Sequence, residues 1–163
     1  MTEPQTLMYV FNETRSLTHF YFNKMKDADV YKVFEVDGKA LNSAAWIMAH
    51  LAWAENFLIL QALNGPAQNA DWFSKVAFGS LPAKKEELPD IETILATMKI
   101  VHEATKEFVN NLAPEELDTD NVLGMKFGQN TSKRFLLIHA IRHEGTHAGQ
   151  LGWLCKLHAA KTL

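Results

Sequence analysis

Apolar residues recur at three- and four-residue steps in four stretches of the chain, the spacing expected where one stripe of an α-helix faces a core. The first stretch carries Leu7, Val10, Phe11, Thr14, Leu17, Thr18, Tyr21, Phe22 and Met25. The second runs from an N-cap at Asn42 or Ser43 to Leu63, where Asn64-Gly65-Pro66 breaks it. A third follows Asp90, a candidate N-cap, through Ile91, Ile94, Leu95, Met98, Val101, Thr105, Phe108, Val109 and Leu112, and stops before Pro114. The fourth starts near Thr131 or Ser132, with an inward stripe of Phe135, Leu136, His139, His143, His147, Gln150, Leu151 and Leu154. No useful length alternates with period two, so no substantial sheet is expected.

Four helices of about 20 residues predict an all-α four-helix bundle, here a single domain over residues 1–163. The link over residues 27–41 contains the turn signal Asp37-Gly38, while the link over 65–89 is long enough for a crossover between parallel neighbours, helices two and three. Its aromatics Trp72, Phe73 and Phe78 are expected to fold back over one end of the bundle, closing the core or walling a pocket. The window Ala44 to Leu63 is nearly long enough to cross a bilayer, but His50, Glu55, Asn56 and Gln61 interrupt it, which argues for a buried helix and against a membrane span. Its hydrophobicity extends almost all round, suggesting burial by the bundle on one side and by a second subunit on the other.

At 163 residues and 47% hydrophobic content the chain can bury a continuous core. The net charge of -3, with lysines and arginines scattered, shows no electrostatic footprint for nucleic acid or an acidic membrane, so a small-molecule substrate or protein partners are expected. Cys155, the single cysteine, lies in an apolar helical stretch and reads as a small core residue rather than a nucleophile. Met1 to Leu7 lack a basic region followed by an apolar run, so a cytoplasmic protein is expected.

Histidines change this picture most. His139, His143 and His147 recur at four-residue steps. Each step leaves neighbours about 40° apart around a helix axis and about 6 Å apart along it, so all three share a face. A pair at this spacing can direct two imidazole nitrogens at one divalent ion. His50, flanked by Trp46, Trp53 and Phe57 in the most apolar helix, is the best third donor, because an unpaired imidazole there would be costly. Core histidines bonded to carbonyls are the alternative. Spacing alone does not choose between the pair His139 with His143 and the pair His143 with His147.

His143-Glu144-Gly145-Thr146-His147 also matches the H-E-x-x-H pattern of zinc proteases. The downstream completions are missing: Gln150 and Trp153 stand where a glycine and a third histidine belong, and no acidic residue follows His147. A protease is therefore the weakest of the readings.

A broader match covers nearly the whole chain. Asp37-Gly38-Lys39, Asn42-Ser43-Ala44-Ala45-Trp46-Ile47-Met48-Ala49-His50-Leu51, Phe78-Gly79-Ser80 and His143-Glu144-Gly145-Thr146-His147-Ala148-Gly149-Gln150-Leu151, in this order, resemble the DinB/YfiT-like metalloenzyme family. The resemblance implies a four-helix bundle with a long second connection, frequent homodimers, and nickel or zinc bound by three histidines. Carried across, these ligands fall on His50, His143 and His147, with His139 and Gln150 as supporting neighbours. Ala148 stands where the family often has an arginine, a departure that puts any basic group beside the site in doubt.

Three neutral imidazoles leave a divalent ion at least one open position, a feature of catalytic sites. The resemblance implies thiol-dependent transferases and isomerases, with a low-molecular-weight thiol as a further cofactor, or hydrolases; a non-catalytic, stress-linked metal-binding module is the alternative. Glu144, about 60° round the helix from His147, is the candidate acid/base. Trp46, Trp53 and Phe57 are candidate pocket lining, with core packing as their alternative role.

Overall fold

The computed structural model describes residues 1–160; the last three residues of the expected domain lie outside the described residues. Helix α1 spans Glu3–Lys24, α2 Ala44–Glu55, α3 Ile91–Asn110 and α4 Lys133–Leu157. A two-residue hairpin pairs β1, Glu35–Val36, with β2, Lys39–Ala40, around Asp37-Gly38, both at positive φ. The chain is thus an all-α four-helix bundle with a minimal antiparallel ribbon.

Capping chemistry sets the starts. Ser43 Oγ accepts from Trp46 N at 3.2 Å, Asp90 Oδ1 from Thr93 N at 2.7 Å, and Ser132 Oγ from Phe135 N at 3.2 Å. Each bond satisfies one of the amides that a helix N-terminus leaves unpaired. Arg134 reaches back from the first turn of α4 to Glu3, at 2.6 and 3.0 Å, and to Asp118, tying the starts of α1 and α4 together.

Helices α1 and α4 run parallel: Glu3 meets Arg134, Arg15 meets Glu144, and the Tyr21 ring lies against Gly152. Helices α2 and α3 also run parallel, since Glu55 meets His102 and Gly65 meets Phe108 further along both. The long link over residues 65–89 is therefore a crossover between parallel neighbours. After Glu55 the second helix widens into a π-helical segment, Asn56–Gln61, rather than continuing as α-helix to Leu63. There the Asn56 amide pins the returning link, accepting from Gln68 N at 2.7 Å and donating to Gln68 O at 3.0 Å.

Three expectations are corrected. The aromatics of the link divide: Phe73 is buried, but Phe78 is 91% exposed and closes nothing. Helix α2 needs no second subunit to cover it, because every residue from Ala44 to Glu55 except Trp53 is buried within the chain, against α3, α4 and the link residues Phe73 and Val76. The core-facing stripes of α1 and α4 are also rotated from those read off the apolar spacing. In α1, Val10 and Leu17 are exposed while Arg15 is buried; in α4, Leu137, Ala140, Glu144 and Ala148 are buried while Gln150 is exposed. At 100° per residue each rotation is roughly 60–70°. The cause is one buried ion pair, Arg15 with Glu144.

Candidate metal centre

His50 projects from the middle of α2, and His143 and His147 stand one turn apart on the antiparallel α4. Their ring nitrogens lie within 4.8 Å of one another. His143 Nε2 is 3.1 Å from His50 Nε2 and 3.2 Å from His147 Nε2. The rotation of α4 leaves His147 and His143 at successive steps away from the centre of the buried stripe, on the flank that faces α2.

The outer nitrogens define the tautomers. His50 Nδ1–H donates to Val76 O at 2.6 Å, and His147 Nδ1–H donates to Gln150 Oε1 at 2.7 Å. Each neutral ring therefore turns its Nε2 lone pair inward. Burial, above all, pushes the His50 pKa down to about 4, with His147 adding to the fall and the Val76 carbonyl opposing it. Burial likewise takes His143 down to about 3, helped by His147, His50 and His139. His147 is lowered by burial against the opposing pull of Gln150 and Glu144.

His50 and His147 thus aim two Nε2 lone pairs at the Nε2 of His143. A proton on His143 Nε2 can serve only one of its two neighbours, whereas a divalent cation serves all three. Nitrogens held about 2.0–2.1 Å from one ion stand about 2.9 Å apart at right angles and about 3.4 Å apart in a tetrahedron. The separations of 3.1 and 3.2 Å fall between these values. All three donors lie within 4.8 Å of one another, which makes the group a candidate for a divalent ion with nitrogen ligands.

Aromatic rings surround His50. Trp46 stacks on it with centroids 4.7 Å apart and planes 11° apart, Trp53 lies tilted at 5.4 Å, and Trp53 in turn stacks on Phe57 at 5.1 Å. His139 stands apart from the group. It packs against Phe127 at 4.4 Å and its Nδ1 accepts from Arg142 Nη2 at 3.1 Å.

Glu144 does not take the place expected of an acid/base. Its Oε1 accepts from Arg15 Nε at 2.7 Å and Thr18 Oγ1 at 2.6 Å, and its Oε2 accepts from Arg15 Nη2 at 2.9 Å. The same Nη2 forms an ion pair with Glu55 Oε2 at 3.0 Å, and Glu55 Oε1 contacts His102 Nδ1 at 2.9 Å. His102 Nε2 reaches Asn12 Oδ1 at 2.7 Å. Burial opposes the charge on Arg15, but attraction by Glu144 and then Glu55 outweighs it and raises its pKa. Burial would raise Glu55, yet Arg15 and His102 together hold it below the usual carboxylate range. This cluster joins all four helices beneath the histidines. The apolar spacing placed Thr18 on the inward stripe of α1 but did not point to Arg15 or His102; the position of Arg15 one step round α1 from inward residues was the signal available for it.

The sequence matches the DinB superfamily over residues 11–151. No curated protein matches it. Two solved structures share its fold. One, described as the conserved protein of locus from Enterococcus faecalis, is 15% identical with a TM-score of 0.66, covering 99% of each chain. The other, the colibactin self-resistance protein ClbS in complex with a dsDNA, is 14% identical with a TM-score of 0.60, covering 96% of this chain and 97% of its own. The second corrects the exclusion of nucleic acid drawn from the net charge: a fold of this kind is found on DNA, and a sum over all charges says nothing about the local surface that a duplex would meet. Among the described residues no helix is long and apolar enough to cross a membrane. With more than half of its length matched, and with the bundle shared by both structures, the chain belongs to the DinB superfamily.

Proposed function

We propose that this protein is a metal-dependent enzyme in which His50, His143 and His147 hold one divalent ion, nickel or zinc, with a coordination position left open for substrate. The observation that carries this reading is the convergence of three Nε2 atoms, two of them with tautomers set by Val76 and Gln150. When bound, the ion supplies Lewis-acid activation of a thiolate, a carbonyl oxygen or water. The reaction class is a thiol-dependent transfer or isomerisation, or a hydrolysis.

The remaining work belongs to the protein's own side chains. Val76 and Gln150 orient the rings, as outer partners of metal-bound histidines commonly do. Trp46 and Trp53 shield His50 from water. Arg15 and Thr18 hold Glu144 in the core, which removes the base that a protease reading of the H-E-x-x-H segment needs. Metal analysis of the purified protein, with anomalous X-ray scattering, is expected to place one ion equivalent on the three histidines. His143→Ala is expected to lose it; full metal content in that variant overturns the ligand assignment.

A second reading takes DNA as a partner, on the strength of the fold shared with ClbS, which was solved with a dsDNA. Duplex binding followed at rising salt tests it, since phosphate contacts make affinity fall steeply with ionic strength. Absence of binding at low salt would dispose of this reading and leave the first untouched.

A further inference from the structure

Arginine occurs at positions 15, 134 and 142, and the first two spend their charge inside the protein. Arg15 pairs with Glu144 and Glu55 in the core, and Arg134 pairs with Glu3 and Asp118 at the start of α4. Arg142 pairs with no carboxylate among the described residues, although it stands next in sequence to the candidate ligand His143. Helix α4 offers it none, since its one acidic residue, Glu144, is bonded to Arg15 and Thr18 in the core.

Arg142 is exposed, yet its guanidinium is held in place. Nη2 donates to His139 Nδ1 at 3.1 Å, and the group lies over the Phe135 ring, 5.5 Å from its centroid. Phe135 in turn stacks on His139 with planes 11° apart, and Phe127 packs on the same imidazole at 4.4 Å. Ordering a long side chain costs conformational entropy. A planar fork already ordered by its own protein therefore loses less on meeting a carboxylate or phosphate than a mobile one does.

His139 is drawn into the same arrangement. A guanidinium only donates, so Nδ1 of His139 is unprotonated and the neutral ring carries its proton on Nε2. That N–H meets no acceptor among the described residues, and it is not among the buried unpaired atoms, so it is open to solvent. The His139 ring centroid is 6.2 Å from that of His143, which sets these unspent donors one ring out from the metal centre.

We propose that Arg142, with His139 beside it, is the binding site for an oxyanion of the substrate, a carboxylate or phosphate carried a few bonds away from the atom that meets the metal. The fork takes two oxygens side by side, as guanidinium pairs with such groups commonly do. The proposal rests on the metal-enzyme reading for the reaction, but not for the binding of the anion.

The probes are succinate, 3-phosphonopropionate and succinamate, which share one carboxylate and end in a carboxylate, a phosphonate or an uncharged amide. Calorimetry measures their affinities for zinc-loaded and for chelated protein. Proton–nitrogen NMR of the arginine Nε–H groups follows Arg142, with Arg15 and Arg134 as internal references. The two dianions are expected to move the Arg142 signal saturably and to bind about tenfold more tightly than succinamate, the tighter one identifying the oxyanion. Arg142→Gln should bring both down to the succinamate level, with succinamate itself within about twofold and metal content unchanged. In chelated protein the dianions should still move the Arg142 signal, so a chain that takes up no zinc but responds at Arg142 loses the metal-enzyme reading and keeps this site. Equal binding of charged and uncharged probes, an Arg142 signal unmoved in both states, or Arg142→Gln weakening all three probes alike would overturn the proposal. An Arg142 signal moved by a DNA duplex and by neither dianion would overturn it in favour of a contact with the nucleic-acid backbone.

Discussion

The ionic cluster around Arg15 and the histidine group at His50, His143 and His147 share helices α2 and α4, and they treat buried polarity in opposite ways. In the cluster, donors face acceptors: Arg15 meets two carboxylates, Thr18 caps one of them, and His102 and Asn12 finish the other. Among the histidines, two acceptors, His50 Nε2 and His147 Nε2, face the single Nε2 of His143, and the outer bonds to Val76 and Gln150 hold them there. A group whose charges are matched internally stabilises one packing of the helices. A group with two acceptors facing one nitrogen is left incompletely matched by its own members. Position in the bundle therefore matters less than complementarity in deciding which buried cluster is structural and which is a site.

Arg15→Leu should break the comparison most severely. It leaves Glu55 and Glu144 buried without their cation, and removing one partner of such a pair costs about 3–5 kcal/mol. Chemical denaturation of the chelated protein checks the figure, and a loss below about 1 kcal/mol would show that the cluster is not a structural element. Glu144→Gln is milder, about 1.5–3 kcal/mol, because the charge-assisted bonds to Arg15 weaken while the shape remains. Metal content should be unchanged in this variant, in contrast to a role at the metal. Gln150→Ala acts on the other group: His147 loses its orienting acceptor, and metal affinity should fall about 10–100-fold with little change in unfolding of the chelated protein.

A separate effect is expected on acid stability. The folded pKa values of His50, about 4, and His143, about 3, lie below the unfolded value near 6.5, and His147 is lowered as well. Between these values the unfolded chain binds more protons than the folded one, so stability rises with pH there. The chelated protein should lose stability progressively as pH falls from about 6.5 toward 3, while above that window these rings add no further change with pH. Melting temperatures across this range, compared with His50→Gln, measure it; a flat profile would mean that the rings are protonated in the folded state.

Much of the bundle was legible in the sequence. Asp90, the Asn64-Gly65-Pro66 breaker and the alternatives at Ser43 and Ser132 are local signals, because a cap or a breaker acts within one helical turn. The length of the link permitted the parallel course of α2 and α3. His50, His143 and His147 were legible too, two of them from helical spacing and the third from its apolar surroundings, with the family resemblance choosing His143 and His147 over His139 and His143. The role expected of Glu144 was not, nor were the coverage of α2 and the exposure of Phe78. Spacing places a side chain on a face of its own helix but leaves open which neighbour that face meets.

What the sequence by itself determined, then, is the number of helices, the starts of α2, α3 and α4 and the set of residues each face carries, since these depend on contacts within a few residues. How each helix is turned about its axis was decided only in three dimensions. Arg15 and Glu144, 129 positions apart, pair at 2.7 Å in the core and rotate α1 and α4 away from their apolar stripes. Bringing two charges out of water is favourable only when each finds the other, and that condition exists only once the helices have packed. The same rotation sets the histidines on the flank of α4 beside α2, where they converge instead of filling the core.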